Sequence, residues 1–295
     1  MNKIRQTVFP VTAALIWGTA FVAQSVGAEY IKPFAFNALR FVIGFLFLFV
    51  MCIIKRKFFH TGTDRANTKH LIIGGTICGA LMTLATVVQQ KGLETTSPGK
   101  AGFITALYIV IVPIMGLFMK KKTPRTMLVS VPLAVVGLYL LCVTEEFSVS
   151  SGDLYVFLCA FCFSAHIMVI DYYTRFVDGV ELSCLQFFTA AIFAWIGTFI
   201  AGEVPTAEAV SICLIPLLYL GICSSGIAYT LQILAQKGSN PTVVSLLLSL
   251  ESVFAVLAGA VILGDTMTAK EYIGCAVMLV AVVFAQLPNK NEQKS

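Results

Sequence analysis

Charge is what this chain has least of. Asp, Glu, Lys and Arg make up 12% of its 295 residues, about half the share of an ordinary soluble domain, and mean hydropathy is +0.89. That balance excludes a water-soluble globular fold. The alternation of apolar and polar residues over about ten positions that a membrane β-strand needs is also missing. The apolar runs are instead long and continuous, so the expected fold is an all-α integral membrane protein. No phosphate loop with its lysine, no HExxH and no nucleophile elbow occurs, so ATP-driven transport by this chain alone is not expected. Nine cysteines lie almost entirely within apolar segments. Cys159 and Cys162 form a C-x-x-C without the second pair of a zinc site, so neither a metal site nor a disulfide framework is expected. No cofactor is implied.

Two tryptophans, three histidines and a net charge of +5 complete the short list of polar and aromatic signals. The basic clusters Lys55–Lys57 and Lys120–Lys122 each follow an apolar run directly. This is the pattern of cytoplasmic loops, not of a nucleic-acid surface. Windows of about twenty residues predict spans near 8–27, 33–54, 71–90, 98–119, 126–144, 153–172, 182–201, 210–234, 241–264 and 271–287. The ninth and tenth are separated only by Asp265–Lys270, on which the count of ten rests. The first run resembles a signal peptide, with Lys3 and Arg5 before it and "SVGA" after it. A matching segment recurs in mid-chain, however, so it is read as a retained helix. No linker is long enough to be a separate domain. With the N-terminus in the cytoplasm, the inner loops and tails hold fifteen Lys and Arg, including Lys121, Lys122, Lys290 and Lys294, and the outer loops hold four. The expected address is the cytoplasmic membrane of a bacterium, with both termini inside.

The second half of the chain lies over the first. "TTSPGKAGFITALYIVIVPIMG" (95–116) matches "GSNPTVVSLLLSLESVFAVLAG" (238–259), with Pro98 over Pro241 and Gly116 over Gly259. Gln89 falls on Gln232, Tyr108 on Glu251, Arg40 on Gln186, and "IWGTAF" (16–21) on "CFSAHI" (162–167). Each unit has five spans. Because five is odd, the two units enter the membrane from opposite sides, which predicts ten transmembrane helices as two inverted five-helix repeats.

These residues carry a resemblance. "IWGTAF" is similar to the W-G-x-x-F of the EamA family in the drug/metabolite transporter superfamily, and "LLLSLESVFAVLAGAVILGDTMT" resembles that family's second-repeat signature. The match covers about residues 10–142 and 153–286. Ser252 stands where the family usually has Pro, and Asp265 where it usually has Glu; loss of the proline is expected to straighten the ninth helix. The resemblance implies a ten-helix carrier of small metabolites, with a lean toward export.

Seven residues are candidates for substrate binding: Glu251, Trp17, Arg40, Gln89, Tyr108, Tyr229 and Gln232. Glu251 sits halfway along a span, where an ionisable group is costly and is a functional candidate by default. It shares a helical face with Val244, Ala255 and Ala258, while Ser245, Ser249, Ser252 and Gly259 line another. Arg40 lies about 10 Å along the second span by helix rise. Its roles stay open among neutralising Glu251, binding a substrate carboxylate with its fork of donors and snorkelling outward. Trp17, Tyr108, Tyr229 and the glutamines offer an aromatic and amide lining, or equally interhelical packing. Tyr229, Gln232 and Gln236 share one face. His166 reads as a satisfied core residue, Lys100 as a snorkelling one, and Asp171 with Arg175 as an i,i+4 pair. Gly102–Ala106 and Gly74/Gly75–Gly79 read as close helix contacts.

The expected function is secondary active transport of a small organic metabolite, amino acid-like or drug-like, by alternating access, with a proton as candidate coupling ion and the lipid bilayer as setting. Two other classes stand beside it. An intramembrane enzyme would need clustered His, Asp or Glu ligands, or a Ser–Lys dyad, at membrane depth. A receptor or assembly subunit would need extramembrane surface, and the loops offer little. The oligomeric state is not legible. Orientation yields a direct prediction: cysteine labelling from outside intact cells reaches sites engineered in 145–151 and 203–208, and misses 120–125 and 56–68. Labelling of the Lys120 loop would overturn it.

Overall fold

The computed structural model describes residues 3–59, 62–96, 98–120, 124–142, 150–263 and 267–286, and among these the chain is helical with no strand. The first half contains α1 (Lys3–Tyr30), α2 (Pro33–Phe59), α3 (Thr68–Gly92), α4 (Pro98–Ala106), α5 (Tyr108–Phe118) and α6 (Met127–Cys142). The second contains α7 (Ser151–Tyr173), α8 (Gly179–Ala201), α9 (Ala207–Ile212), α10 (Leu214–Tyr219), a π-helical stretch (Leu220–Ala228), α11 (Tyr229–Gln236), α12 (Pro241–Leu248), α13 (Glu251–Ala258), a second π stretch (Gly259–Leu263) and α14 (Ala269–Ala285). Lys121, Lys122, Glu145, Asp265, Lys290 and Lys294, used above for orientation and span count, lie outside the described residues.

Eight helical segments among the described residues are long and apolar enough to cross a membrane, from Lys100–Phe118 at 19 residues to Arg65–Gly92 at 28. The chain is therefore a multi-pass membrane protein. The expected fifth and tenth spans form as helices too, but Met127–Leu141 is one of the shorter apolar helices and α14 has 17 residues. Helices this apolar on all sides have no polar face to turn to water, and the polar residues at their ends serve as caps and pairs. Ser150 and Asp153 form a capping box on α7, Asp178 caps α8, and Thr268 with Glu271 forms a capping box on α14.

The helix ends sort into two groups. At one end Lys55 pairs with Asp178, Arg56 Nη2 lies 2.8 Å from Glu181 Oε1, and Arg175 lies 3.2 Å from Asp171 as the spacing predicts. At the other end Phe34 N–H donates to Glu203 Oε2 at 2.8 Å, and Lys100 Nζ meets Asp153 Oδ2 at 2.5 Å. Lys100 therefore does not snorkel. The capping carboxylate of Asp153, itself buried, needs a cation more than the lysine needs water.

Small residues set how closely the spans approach. A Cβ on Gly79 would stand 2.0 Å from Thr189 Oγ1, 2.7 Å from Gln186 O and 2.9 Å from Ala190 N, so α3 meets α8 backbone to backbone. Where α6 crosses α14, a Cβ on Gly137 would lie 3.1 Å from Gly274 O, and one on Gly274 2.9 Å from Gly137 O. Gly102 corrects its expectation. The nearest atom to a Cβ there is Ser252 Oγ at 3.8 Å, so no close contact depends on that glycine.

These distances predict opposite outcomes for one substitution. Gly79→Ala forces fixed backbone apart and should cost about 1–3 kcal/mol as overpacking, seen as a lower unfolding temperature of the detergent-solubilised protein. Gly102→Ala meets no obstacle and gains roughly 0.5–1 kcal/mol of helix propensity, so its unfolding temperature should hold or rise. Equal behaviour of the two variants would refute the packing described.

Candidate functional site

Two interrupted helices build the centre of the bundle. Between α12 and α13 the ladder tightens to i→i+3 bonds: Leu250 N–H donates to Leu247 O at 3.3 Å, and Ser252 N–H to Ser249 O at 3.2 Å. The hydroxyls of Ser245 and Ser249 bond carbonyls three residues back, at 2.9 and 2.7 Å, and compete with the regular pattern. The ninth span is thus not straightened by having Ser252 in place of proline. It breaks at Ser249–Leu250, immediately before Glu251. Between α4 and α5 the same tightening occurs, with Leu107 N–H on Ile104 O at 3.2 Å and Val110 N–H on Leu107 O at 2.9 Å. The residue after that break is Tyr108.

The two residues that follow the breaks meet. Tyr108 Oη donates to Glu251 Oε1 at 3.0 Å, with both side chains buried. Ser252, the next residue along α13, ties it to α4 by donating to Gly102 O at 3.1 Å. A carboxyl group in this setting needs a donor, and the phenol supplies one without adding charge.

Arg40 lies on α2, 2% exposed. Its Nη1 donates to Gln24 Oε1 at 3.2 Å, and its Nε and Nη2 reach Ser225 and Ser224 Oγ at 3.4 Å each. Both serines belong to the π stretch, whose wider turn carries them toward α2. Among the described residues no carboxylate lies within 4.0 Å of Arg40, so it neither neutralises Glu251 nor snorkels. It is a cation solvated by neutral oxygens.

Aromatic rings and amides close the space between these groups. Trp17 stacks at a tilt on Tyr229, with ring centroids 4.6 Å apart. Gln89 Nε2 donates to Thr105 Oγ1 at 3.0 Å. Among the buried atoms, Trp17 Nε1 and Gln232 Oε1 have no hydrogen-bond partner. These are one spare donor and one spare acceptor beside the same cavity.

That cavity is lined by all seven candidates, Trp17, Arg40, Gln89, Tyr108, Tyr229, Gln232 and Glu251. Its volume is about 40 Å³, on the scale of one water at roughly 30 Å³ and far below the 300 Å³ or so at which small-molecule pockets begin. The lining also includes Gln24, Thr105 and Ser224, which the sequence reading missed. Gln24 was findable, since it lies seven residues after Trp17 on the same face of α1. Gln236, on the face of Tyr229 and Gln232, turns elsewhere and donates to Ile167 O at 2.8 Å. His166 stands behind the wall, with Nε2 3.0 Å from Gln186 Oε1 and its ring edge-on to Tyr229.

The family model for "EamA-like transporter family" matches residues 7–143 and again 150–286. An uncharacterized transporter of Archaeoglobus fulgidus is 31% identical over 275 residues, covering 93% of this chain and 83% of that protein. The uncharacterized transporter YoaV of Bacillus subtilis is 24% identical over 253 residues, covering 81% of this chain and 83% of its own. A solved crystal structure at 18% identity shares the fold, with a TM-score of 0.76 over 98% of this chain and 99% of that one.

The Tyr108–Glu251 contact predicts energetic coupling. Tyr108→Phe should destabilise by about 1–3 kcal/mol, the cost of a buried polar group left without its donor. Against a Glu251→Leu background the same change should cost far less. Additive losses in a double-mutant cycle, read from unfolding in detergent, would disprove the link.

Proposed function

Because this chain belongs to the EamA-like transporter family, we propose that it is a secondary active transporter. It moves a small organic metabolite, amino acid-like or drug-like, across the cytoplasmic membrane by alternating access, with export as the family-level lean. Family and relatives indicate a transporter and not an enzyme. They imply a small-molecule cargo and a lipid bilayer around the protein.

The architecture that serves this reading is ten helices in two inverted repeats, about 10–142 and 153–286, with both termini cytoplasmic. Two positions related by a two-fold axis can touch only beside that axis. Tyr108 and Glu251 are repeat mates ten residues past Pro98 and Pro241, and they share a hydrogen bond. Helix contacts come in matching pairs that support the same axis: α3 packs on α7 as α1 packs on the π stretch and α11, while α2 faces α8 and α6 faces α14. The two separate matches to the family model point the same way.

The observation that carries the reading is the central cavity, with a carboxyl group and a guanidinium in its lining and no ion pair between them. In this proposal Arg40 exchanges its neutral partners for an anionic group of the solute. Glu251 exchanges the Tyr108 phenol for a proton or a cationic group, and Trp17 and Tyr229 hold the apolar body. Gln89 and Gln232 supply amide contacts. Such exchanges differ between open and closed states, and differential binding of that kind is what moves a conformational equilibrium.

Uptake of a panel of labelled amino acids and cationic dyes into proteoliposomes, with and without a pH gradient, tests this. Glu251→Gln keeps the shape and removes the charge, so the variant should insert and fold normally. Its transport should fall at least tenfold or lose its pH dependence. Wild-type rates with an unchanged pH profile would make Glu251 a structural residue.

A further inference from the structure

A second ligand environment lies on the outside of the bundle, along the seam between α2 and α8. The inner faces of these helices pack through Ala38, Phe41, Phe187, Ala190 and Ala194. Their outer faces leave a groove of two lobes, of about 410 and 440 Å³, one on each side of the Phe45–Phe188 ring pair, whose centroids lie 5.0 Å apart; Leu71 and Ile72 of α3 complete the wall of the first. One lobe continues past Phe49 and Ile53, the other past Ile192 and Ile196. At helical spacing these positions form one stripe on each helix. From Glu181 to Phe199 the α8 stripe covers about 27 Å at 1.5 Å per residue, close to the roughly 30 Å of a bilayer core.

The two ends of the groove differ. The end at Trp195 and Phe199 is aromatic and uncharged. The other is lined by Arg56 and Glu181, with the thiols of Cys52 and Cys184 just inside. The charges near that mouth are Lys55, Arg56, Lys57, Arg65 and Lys69 against Asp64, Asp178 and Glu181, a surplus of cations. Two of the carboxylates are already engaged. Asp178 holds Lys55 and caps α8, while Glu181 accepts from Arg56 Nε at 2.8 Å and from Thr63 N–H at 2.8 Å. The cations keep donors to spare. The Arg56 side chain is 66% exposed, Lys57 is exposed with its Nζ over the Phe58 ring, and Lys69 is exposed in the first turn of α3.

We propose that this seam binds a phospholipid with an anionic headgroup. Its phosphate is held by the free donors of Arg56 and by Lys57 and Lys69, and an acyl chain lies along Phe49 and Ile53 toward Phe45 and Phe188. The guanidinium offers a fork of N–H groups that suits phosphate oxygens, and charge-assisted bonds of this type are the strong ones. Basic groups at headgroup depth attract anionic lipid. A second copy of the chain fits the groove poorly. A symmetric pair would bring two concave seams and two sets of Arg56 and Lys57 against each other. The proposal concerns the lipid face and does not depend on what the central cavity carries.

The test uses the full-length protein in nanodiscs holding equal amounts of phosphatidylglycerol and phosphatidylethanolamine with the same acyl chains, followed by native mass spectrometry of the lipids that stay bound. The wild type should retain phosphatidylglycerol over phosphatidylethanolamine at least threefold. Lys57→Gln with Lys69→Gln leaves the Arg56–Glu181 pair intact and should cut that preference at least twofold. Arg56→Gln with Lys57→Gln should bring it near one. Ile53→Trp fills the lobe that holds the acyl chain without touching a charge, and should lower retention of both lipids equally while helical content is unchanged. No preference in the wild type, an unchanged preference in both charge variants, or a lipid-free dimer closed over the seam would each overturn the proposal.

Discussion

Inside a bilayer no water is at hand to satisfy a polar group, so each one must find its partner in the protein. The hydrogen bond from Tyr108 to Glu251 is where that constraint is met at the centre of this molecule. Its donor comes from the first half of the chain and its acceptor from the second. Neither half satisfies this carboxyl group alone, and the break in each helix brings the two side chains to the same depth. A tightened turn at Leu107 and another at Leu250 are the local cost of the contact.

Arg40 obeys the same rule by different means. Three neutral side chains from α1 and the π stretch take its N–H groups at 3.2 to 3.4 Å, without an opposing charge. The arrangement depends on small residues. A Cβ on Gly221 would stand 2.5 Å from Ile43, and one on Gly44 would stand 2.8 Å from Ser225 Cβ, so bulkier residues there would push the π stretch off α2. These bonds are long and neutral, unlike a structural ion pair. The pairs at the helix ends, such as Lys100 with Asp153, are of the other kind.

Polarity therefore gathers in three places. Capping boxes and end pairs fix where each span starts. The central cavity holds a carboxyl group and a guanidinium bonded to neutral partners. The α2–α8 seam is apolar along its length and carries Arg56 and Glu181 at one mouth. The two environments lie on opposite faces of α2, with Arg40 turned inward and Phe45, Phe49 and Arg56 lining the seam.

Much of this was legible in the amino-acid order. Long uncharged runs can only be membrane helices, because length and hydropathy are local properties. A Glu, an Arg or a Gln inside such a run stands out for the same reason, and all seven candidates picked on that ground line one cavity. Depth along a helix follows from residue number through a constant rise. Rotation about the helix axis and the identity of neighbours are harder to read, so Thr105 and Ser224 went unnoticed, and Lys100 was read as snorkelling to water when it pairs with Asp153. The break before Glu251 was also hidden. Without a proline the sequence carries no strong local signal for it, and the serine hydroxyls that help make it also occur in unbroken helices. The sequence by itself determined that this is a multi-pass helical membrane protein with a few costly polar residues at depth. Only the tertiary structure decided which of those residues touch, because partners brought together from positions 143 residues apart in the chain are chosen by packing and not by spacing.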